Sequence, residues 1–170
     1  MLRKVIFIVF CLFFYCGNVW GADCEQDITA DVSGTAYECN SNDTFKVSEG
    51  VTVSKNDNNY PINANNKDNI TIDNYGTIRN NGTITDRGNR PIYLENSSNI
   101  NIYNRSTGTI SARKSGTIYL KNTDGDINIY NEGTISATQH GAIHNYANRV
   151  SGDIYIENSG IIRTTNTAVD

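Results

Sequence analysis

Four segments of this chain can be laid over one another: 69–78 (NITIDNYGTI), 99–110 (NINIYNRSTGTI), 126–135 (DINIYNEGTI) and 153–162 (DIYIENSGII). Measured from the first isoleucine of each, they recur at intervals of 30, 27 and 27 residues. That period is too short for independent domains, and one such unit has no second layer against which to bury an apolar face. Each unit must therefore stack on its neighbours, and the period predicts a solenoid.

Within a unit the apolar residues alternate, as they do in a strand with one buried face. An opening strand turns Ile70/Ile72, Ile100/Ile102, Ile127/Ile129 and Ile154/Ile156 one way, and Thr71, Asn101, Asn128 and Tyr155 the other. A middle strand follows a turn and contributes Ile78, Ile110, Ile135 and Ile162. A closing strand carries Ile92/Leu94, Ile118/Leu120 and Ile143. No helical period occurs between them. The expected fold is all-β, a right-handed parallel β-helix of about five three-stranded coils. A β-sandwich of antiparallel strands would share the alternation but not the residue-by-residue columns.

The template extends upstream, with Phe45 and Val47 matching the opening strand at a spacing of 25 residues, Val53 the middle strand and Ile62 the closing one. Length variation falls in turns, at 80–89 with its extra Gly-Thr-Ile and at 105–107. Two polar columns accompany the isoleucines. Asn74, Asn104, Asn131 and Asn158 recur two residues after the second inward isoleucine, where stacked amides can bond along a ladder. Gly76, Gly108, Gly133 and Gly160 follow them, at a left-handed or tightly packed turn. A ligand-coordinating role for the asparagines is the alternative to a structural ladder.

Ahead of the repeats, Arg3 and Lys4 precede an uncharged apolar run at 5–15, too short to span a bilayer as a helix. Residues 1–21 are expected to be a cleaved secretory signal, 22–43 an N-terminal cap segment, and 44–170 the coils. A lipoprotein reading of Cys16 is disfavoured by the bulky Phe14-Tyr15 before it. Cys24 and Cys39 remain as an even pair in an exported chain, which predicts a disulfide rather than a metal site. Without the signal the chain holds 12 basic and 18 acidic residues, about −6 net, with no basic cluster. Nucleic acid and anionic membrane surfaces are therefore not expected partners, and no membrane insertion of the mature chain is expected. Asn occurs 25 times, yet the isoleucine columns argue against disorder and assign this polarity to turns and outer faces.

A signal segment followed by Asn/Asp-Ile-x-Ile-x-Asn-x-Gly-Thr-Ile units resembles the passenger region of bacterial autotransporters, over residues 44 to 165. The resemblance implies export across the inner membrane and display or release at the cell surface by an outer-membrane β-barrel. No barrel-like run of alternating strands occurs in this chain. The expectation is a truncated or split passenger, or an independent secreted β-helix. An uncovered last coil would favour self-association.

Catalytic signatures are sparse. There is no Gly-x-Ser-x-Gly, and the two histidines, His140 and His144, share one polar stretch without an evident third ligand. Asp73 and Glu157 fall in one column but Tyr103 and Tyr130 separate them, and Asp124 and Asp126 flank Gly125 in a pattern that neighbouring coils do not repeat. The Thr77, Thr109 and Thr134 column lacks the paired threonine ranks of an ice-binding face, and sheet propensity accounts for it. What stands out is the outer surface: Tyr93, Tyr119 and His144 in the outward slot of the closing strand, and Tyr103 and Tyr130 on the opening strand. Such stripes either bind sugars or proteins, or pack across strands. The expected function is a non-enzymatic adhesin or scaffold fragment in the periplasm, at the cell surface or outside the cell, needing no cofactor and meeting a surface protein or glycan. The alternatives are a small pectate-lyase-like glycan-active enzyme and a non-functional remnant.

Overall fold

The computed structural model describes residues 21–57, 59–83, 89–146 and 152–165. The expected signal segment apart from Gly21, and Ile84 of the extra Gly-Thr-Ile, lie outside them. All described secondary structure is extended. The chain winds through β1 (Ala22–Asp23), β2 (Gln26–Ile28), β3 (Val32–Ser33) and β4 (Tyr37–Glu38), all of two or three residues. It continues through β5 (Thr44–Val47), β6 (Thr52–Lys55), β7 (Ile62–Asn65), β8 (Thr71–Asn74), β9 (Thr77–Asn80) and β10 (Ile92–Glu95). The later windings are β11 (Ile100–Asn104), β12 (Thr109–Ala112), β13 (Ile118–Lys121), β14 (Ile127–Asn131), β15 (Thr134–Ala137), β16 (Ile143–Tyr146), β17 (Ile154–Asn158) and β18 (Ile161–Thr164).

These strands form three parallel sheets: an opening sheet (β2, β5, β8, β11, β14, β17), a middle sheet (β3, β6, β9, β12, β15, β18) and a closing sheet (β1, β4, β7, β10, β13, β16). The fold is a right-handed parallel β-helix. From Thr44 the described chain completes four three-strand windings and begins a further one with β17 and β18, so about four full turns replace the expected five. Segment 22–43 adds a shortened winding whose strands enter all three sheets in register.

The apolar columns meet on the axis. Ile100, Ile127 and Ile154 are direct register partners, as are Ile78, Ile110, Ile135 and Ile162, and Ile62, Ile92, Ile118 and Ile143. The isoleucines of β8, β11 and β14 are sealed from solvent. Each such side chain contributes roughly 1.5–3 kcal/mol by leaving water. The last winding differs: Ile154 and Ile162 are partly buried, while Ile156 and Ile161 are 44% and 51% exposed.

One register expectation is overturned. Phe45 pairs with Ile72 and Val47 with Asn74, a spacing of 27 residues, not 25. A two-residue slip keeps the same side chains facing inward, so alternation alone cannot distinguish the two registers. The Gly column is explained by close approach: Cβ atoms built on Gly133 and Gly160 would lie 2.2 Å from the carbonyl oxygens of Gly108 and Gly133. A left-handed backbone is not the reason, since the positive-φ glycines are Gly34, Gly50 and Gly125.

Candidate functional site

A groove crosses the outer face of the closing sheet. Register places Tyr93, Tyr119 and His144 in one outward row, and Glu95, Lys121 and Tyr146 in the next. Two residues before β7 and β10 stand Tyr60 and Arg90, each followed by a proline, which favours extended backbone at the residue before it. Gly116 and Gly141 hold the same position in the following two windings. The result is a cavity of about 620 Å³ bordered by Tyr60, Arg90, Tyr93, Tyr119, Lys121, His144 and Tyr146. Pockets that bind small molecules commonly have volumes in the same range.

Its wall is a stack of rings. Tyr60 lies on Tyr93 at 4.2 Å and 4° between planes, Tyr93 on Tyr119 at 5.5 Å and 8°, and Tyr119 faces Tyr146 at 6.0 Å. His144 meets Tyr119 edge-on at 5.2 Å. Stacked neighbours leave Tyr93 and Tyr119 buried, whereas Tyr146 is 61% exposed. The guanidinium of Arg90 sits 3.3 Å from the ring centre of Tyr119 and 5.7 Å from that of Tyr93, a cation–π arrangement.

The polar groups divide unequally. Glu95 accepts from Lys121 Nζ through one oxygen and from the Tyr93 hydroxyl through the other, at 2.7 Å. The hydrogen bond from Lys121 holds the Glu95 carboxyl below its ordinary range, and the same bond raises the Lys121 ammonium. Burial, followed by the hydrogen bond to Glu95 and its charge, pushes the Tyr93 phenol upward, and burial pushes Tyr119 upward. Burial, Arg90 and His140 together lower His144 and favour its neutral form.

Tyr103 and Tyr130 form a separate stripe on the opening sheet, stacked at 5.0 Å and 7°. Arg105 lies 4.7 Å from the Tyr103 ring centre and donates to Asp73 Oδ1 at 2.7 Å, so its charge has a carboxylate partner. The column runs Asp73, Tyr103, Tyr130, Glu157, so two tyrosines separate these carboxylates. The threonine column of the middle sheet ends at Ile161, and Arg79 interrupts the serine row beside it.

The asparagines at the corner bond to one another inside the wall. Nδ2 of Asn74 donates to Oδ1 of Asn104 at 2.8 Å, Asn104 to Asn131 at 2.7 Å, and Asn131 to Asn158 at 2.6 Å. Each of the four also donates to the carbonyl of the turn glycine that follows it. The ladder starts above Val47, which offers no amide, and Asn74 Oδ1 is buried without an acceptor's usual partner. With their donors engaged and their side chains enclosed, Asn74, Asn104 and Asn131 are not presented to a ligand.

Cys24 and Cys39 form a disulfide across a sequence separation of 15 residues, with Cα atoms 4.5 Å apart. β1 and β4 pair with the same offset, so the cysteines are simply the next register pair. A disulfide is at home in an oxidising compartment. His140 and His144 approach to 6.4 Å between ring centres, and among the described residues no three His, Cys, Asp or Glu side chains gather as metal ligands.

Sequence reading found Tyr93, Tyr119 and His144 but missed Tyr60, Arg90, Lys121 and Tyr146. The signal for the first pair was present as Tyr60-Pro61-Ile62 and Arg90-Pro91-Ile92, the same tripeptide slot in successive windings. Comparison with protein-family profiles, with curated proteins and with solved structures finds no match to this chain.

Proposed function

We propose that the chain is an exported, autotransporter-passenger-like β-helix that works without catalysis, as an adhesive or scaffolding element at the cell surface or in secreted form. The observation that carries this reading is the row of aromatic side chains held in register along the closing sheet, from Tyr60 through Tyr93 and Tyr119 to Tyr146. Rigid windings fix the spacing of these side chains, and fixed spacing lets weak contacts act together. The disulfide supports passage through an oxidising compartment. The partner envisaged is a surface protein or glycan. The exposed Ile156 and Ile161 support a second, self-associating contact at the last winding.

The test has two arms. The full chain expressed with its leader should appear processed in the periplasm or medium, and beads coated with the processed protein should adhere to bacterial or animal cells. Tyr146→Ala combined with Tyr60→Ala should reduce adhesion several-fold with the fold retained by circular dichroism. Retention in the cytoplasm, or adhesion no greater than that of uncoated beads, would sink the reading.

A further inference from the structure

The geometry points to the groove on the closing sheet as a binding site for a carboxylated saccharide unit, with Arg90 receiving the carboxylate. This deepens the adhesive reading and rests on it for biological meaning, though not for the chemistry.

Of the two cations that line the groove, Lys121 is neutralised by Glu95 and Arg90 is not. Arg90 forms no ion pair among the described residues; its contacts are the ring faces of Tyr119 and Tyr93. Its Nε is enclosed with no acceptor. A guanidinium screened from water on one side by aromatic rings attracts an incoming anion more strongly than a fully solvated one, because the local dielectric is lower. Its planar fork suits the two oxygens of a carboxylate.

The rest of the groove selects the body attached to that carboxylate. Gly116 and Gly141 stand where Tyr60 and Arg90 project in earlier windings, so the row of long side chains stops at Arg90. Tyr146 offers an exposed ring to the C–H face of a sugar, and the neutral His144 can donate or accept a hydrogen bond. A multiply charged phosphate would meet Glu95 and only one unpaired cation. A peptide adding as a strand needs a free backbone edge; β10 and β13 are both paired on each side, so it could join only at β16, the end strand of the closing sheet, and an acidic peptide is therefore one arm of the test. A unit bearing a single negative charge, with an apolar face and several hydroxyls, fits both limits.

Titration calorimetry at neutral pH on the disulfide-bonded protein tests this, with a glucuronate trimer against a glucose trimer of the same linkage. The charged trimer should bind at least about 10-fold tighter, the loss expected when one charge-assisted contact is missing. Arg90→Gln should remove that preference, Arg90→Lys should keep part of it, and Arg79→Gln on the middle sheet should leave it unchanged. Thermal melts of each variant separate lost binding from lost fold. Equal binding of the two trimers, a preference that survives Arg90→Gln in a folded protein, or tighter binding of an acidic peptide than of the glucuronate trimer would each overturn the assignment. If cells bind the protein but the glucuronate trimer does not, the ligand class falls and the adhesive reading stands. If the trimer binds in an Arg90-dependent way and no surface does, the site stands and the adhesive reading falls.

Discussion

The first and last windings carry the same architecture in opposite conditions. The first has the poorest strands, of two or three residues, yet Cys24 and Ile28 are buried and the Tyr37 and Phe45 rings pack over the axis at 4.8 Å. The last has strands of five and four residues in good register, yet Ile156 of the inward column is open to solvent and Ile154 and Ile162 are only partly buried. Motif quality therefore does not decide burial in this fold. What lies above and below a winding decides it, as expected when stability is a sum of units and nearest-neighbour interfaces.

The sharpest way to break that comparison is a pair of substitutions at register partners. Ile129 and Ile156 pair directly, but Ile129 is fully buried and Ile156 is 44% exposed. Ile129→Ala should cost about 3–4 kcal/mol in denaturant unfolding, since it leaves a cavity between windings. Ile156→Ala should cost less than about 1 kcal/mol, because much of that side chain already meets water. Equal losses would show that the last winding is covered in solution.

The closed end depends on its cross-link. Replacing Cys24 and Cys39 by serine releases a 15-residue constraint, which for a loop of that length corresponds to about 3 kcal/mol. The effect should be local: amide exchange should quicken in β1–β4 and leave β11–β15 protected. Uniform loss of protection along the chain would mean that the first winding nucleates the rest.

Most of the fold was legible because the repeat is written in isoleucines, and Ile78, Ile110 and Ile135 admit only one stacked arrangement. The register of Phe45 was not legible, since a slip of two residues preserves the inward face and the asparagine column stops at Asn74, opposite Val47. A second asparagine pattern also went unread. Asn66, Asn96 and Asn122, with Asn42, Asn69 and Asn99, hold positive φ in the turns between closing and opening sheets, a conformation that asparagine tolerates better than most residues. The candidate site was half legible. Period-two alternation placed Tyr93, Tyr119 and His144, but Tyr60 and Arg90 reach the groove from turn positions, and no strand pattern governs those.

The ladder gives a third contrast, of intermediate size. Asn104→Ala removes the acceptor of Asn74 Nδ2 and the donor to Asn131 Oδ1, both buried. Leaving such groups unpaired costs about 2 kcal/mol. Asn158→Ala, at the exposed end, strands only the Asn131 donor and should cost about half as much. Similar costs would imply that a further amide caps Asn158 in solution.

The smallest effect separates charge pairs by their surroundings. Glu95 is held below its ordinary carboxyl range by the hydrogen bond from Lys121, so its folded pKa lies under its unfolded one. Its contribution is complete above the unfolded value and disappears as pH falls through the folded one. Because the two side chains are 19% and 34% exposed, solvent screening keeps it below about 1 kcal/mol. Glu95→Gln should flatten the stability profile across the acidic carboxylate range. Glu157→Gln, which removes the 3.3 Å contact from the exposed Tyr155 hydroxyl, should cost less stability at neutral pH than Glu95→Gln. If the two variants behaved alike, the closing sheet would not shield its ion pair, and the groove would lose the low-dielectric setting that makes the unpaired Arg90 attractive to an anion.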